Sequence, residues 1–357
     1  MKSTLGILLV AQCLAATIAE AATNAEASAD WTEATVDSSG RMGQHVSLAL
    51  DRDGRANLTY YEFKGSSRRQ LRYARWTGQA WFTQTVDDSG NVGGMNSLAL
   101  DAGGRPWVSY YDYVHQSLKL AHWTGAKWSI EVVDGQESVG LDSSLALDAH
   151  GEPHISYYDL SNGDLKYAHR VGGAWKLVAV DSEGDVGAET SLALDGQGRP
   201  HIAYLDKDSR GLKYAGWDGS AWTLELVDTT GRSGGPSLAL DKQGRPHISY
   251  FDLGRDRLRH ANRDGRTWAL ESLIKVRPGL RTAIALDSEG NPRISLQEPG
   301  GKLKYLQKSG GTWEVARLEG LREAAWGTSL ALDSRGSPLI CYSDLLENQL
   351  RCAHATR

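Results

Sequence analysis

The pentapeptide Ser144-Leu145-Ala146-Leu147-Asp148 recurs letter for letter from Ser47, Ser97, Ser191, Ser237 and Ser329, and a drifted copy, Ala283-Ile284-Ala285-Leu286-Asp287, fills the remaining gap. Successive starts differ by 50, 47, 47, 46, 46 and 46 residues. A fixed period of this length marks a repeat architecture, in which each unit is one supersecondary element that buries its apolar surface only against its neighbours. A chain of 357 residues would ordinarily suggest two or three domains. Seven copies spread over nearly all of it argue for one closed domain.

Within each copy, four short strand signals alternate with turn signals, the pattern of a propeller blade. The Leu-Ala-Leu strand is apolar on both faces, with a small residue between the leucines, as an inner strand near a crowded axis requires. The following Asp-x-x-Gly, as in Asp148 to Gly151, is a hairpin signal: Asp accepts local backbone hydrogen bonds and Gly takes positive φ. Calcium ligation by these aspartates is disfavoured, because each turn offers too few oxygens for a six- to eight-coordinate ion. The second strand ends in pairs such as Tyr110-Tyr111-Asp112 and Tyr157-Tyr158-Asp159, whose alternation places one ring of each pair between blades. Trp 12 and Tyr 14 against Phe 3, with Gly 40, fit a turn-rich β protein. The expected fold is an all-β, seven-bladed β-propeller with four antiparallel strands per blade.

The ends of the chain fit this ring. The last copy stops one strand short at His354, while Trp31 to Asp37 matches a fourth strand, so the N-terminal strand is expected to complete the C-terminal blade and remove exposed edges. Cys341 and Cys352 fall on adjacent strands of that blade and are expected to form a disulfide. Residues 1–21, with Lys2, an apolar run from Leu5 to Ala16 and Ala19-Glu20-Ala21, read as a secretory signal peptide. The run is shorter than the about 20 residues that cross a bilayer. A linker over 22–30 and a single propeller domain over 31–357 complete the expected organisation, and the expected location is periplasmic or extracellular. The expected assembly is a monomer.

Net charge of −5 gives no field for nucleic acid or an anionic membrane. The basic cluster Lys64, Arg68, Arg69, Arg72 and Arg75 is local and reads as a solvated loop and strand edge. His154, His201 and His247 occupy one strand position in three consecutive copies, so they lie on different blades and form no metal cluster. No metal or cofactor is expected.

One constellation carries possible ligand chemistry. A base is followed twelve positions later by Glu in Lys119 and Glu131, Lys213 and Glu225, and Arg259 and Glu271, and a hairpin would set them face to face. Arg72, with Trp76 beyond it, is a version that has Gln84 for the acid. Such pairs form cross-strand ion pairs of up to about 1 kcal/mol, or a polar clamp for sugar hydroxyls beside a ring such as Trp123 or Trp217. At these residues the chain resembles the fucose-specific propeller lectins, whose repeated sites between blades pair an Arg with a Glu beside a Trp or Tyr. It resembles more loosely the sialidase-like propellers that carry Asp-boxes; Asp264-Gly265-Arg266-Thr267-Trp268 is one residue short of that box. The resemblance implies carbohydrate or glycoconjugate binding without turnover, at repeated sites drawn from Arg72, Trp76, Lys119, Trp123, Glu131, Lys213, Trp217, Glu225, Arg259 and Glu271. Two alternatives are a polysaccharide-degrading enzyme, lyase or hydrolase, with one top-face site using singular residues such as His115 with Tyr113, and an extracellular protein-interaction scaffold.

Overall fold

The computed structural model describes residues 19–20, 26–65, 68–319 and 325–355. Apart from Ala19 and Glu20, the segment read as a signal peptide lies outside them. The described chain is all strand and turn, arranged as seven four-stranded blades. Blades 1 to 6 span residues 41–87, 92–134, 139–181, 186–228, 233–275 and 282–319. Blade 7 takes three strands from residues 325–355, and its fourth is the strand Glu26–Asp37, whose Trp31 to Asp37 part pairs antiparallel with Gln349–Ala355. The leading part of that strand, Glu26 to Asp30, pairs in parallel with Val315 to Glu319 and so ties blade 6 to blade 7. Ala19 and Glu20 lie in parallel against Glu271 and Ser272 of blade 5.

There is no single core. Seven apolar clusters fill the seams between neighbouring blades; one joins Leu165, Tyr167 and Val180 of blade 3 to Leu192, Ile202 and Tyr204 of blade 4. The repeated pentapeptide supplies the innermost layer. Its first leucine, 6 to 9 % exposed in the six intact copies, enters the seam with the preceding blade. Ala146 faces the next seam, where neighbouring inner strands crowd together. The serine has its own function: Ser47, Ser97, Ser144, Ser191, Ser237 and Ser329 each accept, at 3.0 to 3.2 Å, the backbone N–H of the residue at the first-leucine position one blade on. The bond from Leu48 to Ser329 closes this girdle across the termini. Its one break is Ala283.

Ala283→Ser should complete the girdle by accepting from Leu330 and raise stability by about 0.5–1.5 kcal/mol. Urea denaturation reads this as a higher midpoint at unchanged slope; an unchanged or lower midpoint would count against the girdle as a stabilising element.

The turn chemistry is as the sequence implies. Asp148 Oδ1 accepts from the N–H groups of His150 and Glu152 at 2.8 and 2.9 Å, and Gly151 has φ +80°. Cys341 and Cys352 are directly paired across strands and joined by a disulfide in the closing blade. No described helix is long and apolar enough to cross a membrane.

Candidate functional site

The third and fourth strands of a blade meet through a loop of four residues, as in Trp123 to Trp128, or of two, as in Asp264 to Thr267, and an even loop sets the register one residue away from the one that the twelve-residue spacing suggests. Lys119 lies opposite Val132, and Glu131 opposite Leu120; Lys213 faces Leu226, and Arg259 faces Ser272. A one-residue offset in a strand moves a side chain to the other face. Lys119 therefore turns to the preceding blade and Glu131 to the following one, and the pairs expected within each hairpin do not meet.

The bases instead complete a buried network that recurs between blades. The aspartate ending the fourth strand of one blade accepts from the first tyrosine of the next blade's second strand, with Tyr60 on Asp37, Tyr110 on Asp87, Tyr157 on Asp134, Tyr204 on Asp181 and Tyr250 on Asp228, at 2.5 to 2.8 Å. The third-strand base of that next blade joins it. Lys166 Nζ is 2.6 Å from Asp134, Lys213 Nζ is 2.5 Å from Asp181, and Arg259 bonds Asp228. Lys119 leans toward Asp112, at 2.6 Å, with Asp87 at 3.7 Å. Arg72 sits 3.6 Å from both Asp37 and Glu62. The other carboxylate oxygen caps a turn, as Asp87 Oδ1 does for the N–H of Ser89 at 2.9 Å. Burial raises the tyrosine pKa values, and the aspartate beside each adds to it. Donation to Asp37 and Asp87 outweighs their desolvation and lowers their pKa values. Blade 6 departs from this as a unit: blade 5 has Ile274 where the aspartate would stand, blade 6 has Leu296 for the tyrosine, and Lys304 turns to Glu298 at 3.2 Å.

The glutamates meet other bases. Glu131 pairs with Arg170 of blade 3 and accepts from Trp175 Nε1 at 3.3 Å. Glu225 pairs with Arg263 of blade 5 at 2.5 Å and accepts from Trp268 Nε1 at 2.9 Å. Glu271 pairs with Lys308 of blade 6 at 2.6 Å, accepts from Trp313 Nε1 at 3.2 Å, and lies 2.8 Å from His260 Nδ1. Each cluster draws its acid from one blade and its base and indole from the next. The position of Arg170, Arg263 and Lys308 holds Trp76, Trp123 and Trp217 in blades 1, 2 and 4, where the preceding blade has Ala34, Gln84 and Val178. Trp128 and Trp31, which follow Gln84 and Ala316, leave their indole N–H groups without a partner among the described residues. Acid and base thus vary together along the chain, a signal visible in the sequence once copies are aligned to their successors.

The three clusters differ in access. In the first two, glutamate, arginine and tryptophan are all partly exposed, with Glu131 at 34 % and Arg263 at 26 %. Trp313 is fully buried and Glu271 is shared between Lys308 and the His260 imidazole, so the third cluster offers no open ring face. The rings expected as sugar platforms, Trp76, Trp123 and Trp217, pack against Trp81, Trp128 and Trp222 of their own hairpins at 5.4 to 5.6 Å. On the top face, which carries the loops after the second and fourth strands, His115 is 2.9 Å from Asp112, while Tyr113 lies beside Tyr111 and Arg69. No group of three or more metal-ligating side chains occurs among the described residues.

No family model matches the sequence, and no curated protein matches it. Solved structures do. The fucose-specific lectin from Aleuria aurantia superposes with a TM-score of 0.55 at 16 % identity, covering 77 % of this chain and 96 % of that one. AofleA from Arthrobotrys oligospora gives 0.54 at 13 %, covering 82 % and 90 %. A polysaccharide lyase, an ulvan lyase of family PL25, gives 0.58 at 14 %, covering 90 % and 94 %. At such identities the likeness is one of fold.

Proposed function

We propose that this propeller is a secreted, monomeric carbohydrate-binding protein that holds saccharides in the clefts between blades 2 and 3 and between blades 4 and 5. The observation that carries the reading is the twice-built, partly exposed cluster of Glu131, Arg170 and Trp175 and of Glu225, Arg263 and Trp268. A carboxylate supplies acceptors and a guanidinium a planar fork of donors, which together match neighbouring hydroxyls on a pyranose. An indole edging the cleft offers apolar surface to the C–H face of the ring. Two weak sites on one rigid ring gain from multivalent ligands. The Aleuria aurantia protein, in complex with α-methyl-L-fucoside, has the same fold, which supports a sugar as the ligand class. A disulfide within the closing blade and a leader over residues 1–21 support an oxidising, extracytoplasmic location.

A glycan array followed by titration calorimetry tests this. Glu131→Gln and Glu225→Gln should each weaken binding of the ligand found by about tenfold or more, the cost of losing a charge-assisted acceptor. The double variant should abolish binding while shifting thermal stability little, since partly exposed ion pairs contribute about 0–1 kcal/mol. Binding that survives the double variant, or its absence across the array, would sink the reading.

A further inference from the structure

Most of the excess in the first repeat interval is concentrated in one hairpin. From the residue ending the second strand to the third-strand base the chain runs ten residues in blade 1, Glu62 to Arg72, against seven in blade 2, Asp112 to Lys119, and seven in blade 3, Asp159 to Lys166. The added residues continue the ladder, pairing Phe63 with Arg69 and Lys64 with Arg68, and so raise both arginines above the top face. Of the basic cluster seen in the sequence, Arg72 is drawn into the seam and Arg75 lies 5.3 Å from the Phe82 ring, whereas Lys64, Arg68 and Arg69 remain at this tip. With Gln70, and with Asp88 and Gly90 of the loop that leads to blade 2, they line a groove.

Arg69 is held there by rings and not by acids. Its guanidinium lies 5.7 Å from the Tyr61 ring, 5.1 Å from Phe63 and 5.2 Å from Tyr113, and Arg41 lies 5.0 Å from Phe63 on the same side. The residue after the second-strand acid is aromatic only in the adjacent blades 1 and 2, as Phe63 and Tyr113; the other blades carry Leu160, Lys207, Leu253, Pro299 and Leu345. Gly94 makes room for Tyr113, since a Cβ there would stand 2.3 Å from its Oη. The Arg69 guanidinium has no hydrogen-bond or ion-pair partner among the described residues, nor has the Tyr113 hydroxyl. Arginines elsewhere on the ring, such as Arg170, Arg259, Arg263 and Arg281, are ion-paired. A guanidinium oriented by aromatic faces, with its planar donors unused, is preorganised for an oxyanion.

We propose that the extended hairpin of blade 1, with Arg69 as anchoring cation and Tyr113 as neutral donor, binds a carboxylate or sulfate group carried by an acidic saccharide. The anion site stands on the residues above; the choice of saccharide as carrier rests on the proposed function. A polynucleotide fits less well, because its phosphates require a basic stripe and here the cations occupy one hairpin of a chain with net charge −5.

Calorimetric titration of the full chain with polygalacturonate, dextran sulfate, neutral dextran and oligo(dT) tests the proposal. Expected is binding to one or both acidic polysaccharides, weakening with added salt, and none to dextran; the better of the two tells carboxylate from sulfate. Arg69→Gln should weaken it about tenfold or more, and Lys64→Gln/Arg68→Gln, at the exposed tip, should weaken it with unchanged melting. Equal binding of dextran, tighter binding of oligo(dT), no binding of either polyanion, or full affinity in both variants would overturn the proposal. Glu131→Gln/Glu225→Gln should leave polyanion binding intact, so the two sites fail separately.

Discussion

Asp228→Ala is expected to destabilise the ring by about 3–5 kcal/mol, because it leaves a buried guanidinium without its counter-ion. Arg259 is 4 % exposed and bonds Asp228 Oδ2, which also accepts from Tyr250 Oη at 2.6 Å; both Tyr250 and the carboxylate are out of water. After the substitution, Arg259 keeps the neutral Thr230 hydroxyl, at 2.9 Å, and the Tyr250 ring, at 5.9 Å, but no counter-ion, and the Tyr250 hydroxyl loses its acceptor. Neither can move to solvent without opening the seam between blades 4 and 5. Asp53→Ala provides the contrast: its pair with Arg55 is exposed on both sides, 65 % and 48 %, and its loss should shift stability by well under 1 kcal/mol. The double variant Asp228→Ala/Arg259→Met should recover much of the loss, since an apolar pair of similar volume is often no worse than a buried ion pair. Urea midpoints on the three variants decide the matter. A cost for Asp228→Ala no larger than that for Asp53→Ala would mean that water reaches the seam and the network is not a structural tie.

The ring was legible because its determinants are local and repeated. Leu-Ala-Leu specifies an inner strand, Asp148 and Gly151 a hairpin, and Trp31 to Asp37 a strand without a partner in its own stretch of chain; each depends on residues a few positions apart. The site was harder to read because its partners lie one blade away. Lys119 and Glu131 share a hairpin, and their spacing suggests a pair, but the register is decided by the parity of the loop, with Thr124 N–H donating to Lys127 O at 2.9 Å. The useful signal was the covariation of one copy with the next. Ser156 with Thr190 and Ser249 with Thr282 are hydrogen-bonded at 2.7 Å, and Ser295 with Thr328 at 3.3 Å, while in two other seams both corresponding residues are apolar, Ala203 with Pro236 and Cys341 with Val46. The same comparison links Glu131 to Arg170 and Glu225 to Arg263. In a closed ring the natural unit for reading chemistry is the seam, made of the end of one copy and the start of its successor.

Seams that bury this many polar groups should make the ring acid-sensitive, beginning above the usual carboxylate range. Burial lowers the pKa of His45, His122, His154, His169, His201, His247 and His260. For His45 and His247 the value falls to about 4. His45 is opposed further by Arg281 and Arg69, against an opposite pull from Asp142; His247 is opposed by His260, Arg245 and Lys308, against Asp241. In the unfolded chain a histidine takes up its proton near pH 6.5. Between about pH 6.5 and 4 the unfolded state therefore binds more protons, and stability must fall as pH falls. Each of these two groups contributes at most about 3 kcal/mol, whole above pH 6.5 and lost as the pH approaches 4. Glu271 and Asp112, held down at about 2 by partners that include His260 and Lys308 for the first and Lys119 and His115 for the second, extend the loss below pH 4. Glu189 acts in the opposite sense, since burial raises its pKa and favours the folded state as it protonates. Melting temperature followed from pH 8 to pH 3 should be flat above about 7, fall through the histidine window and fall again below 4. His45→Gln/His247→Gln should flatten the upper slope and leave the lower one. A wild-type melting temperature unchanged between pH 6.5 and 4.5 would show that these imidazoles are solvated in the folded ring.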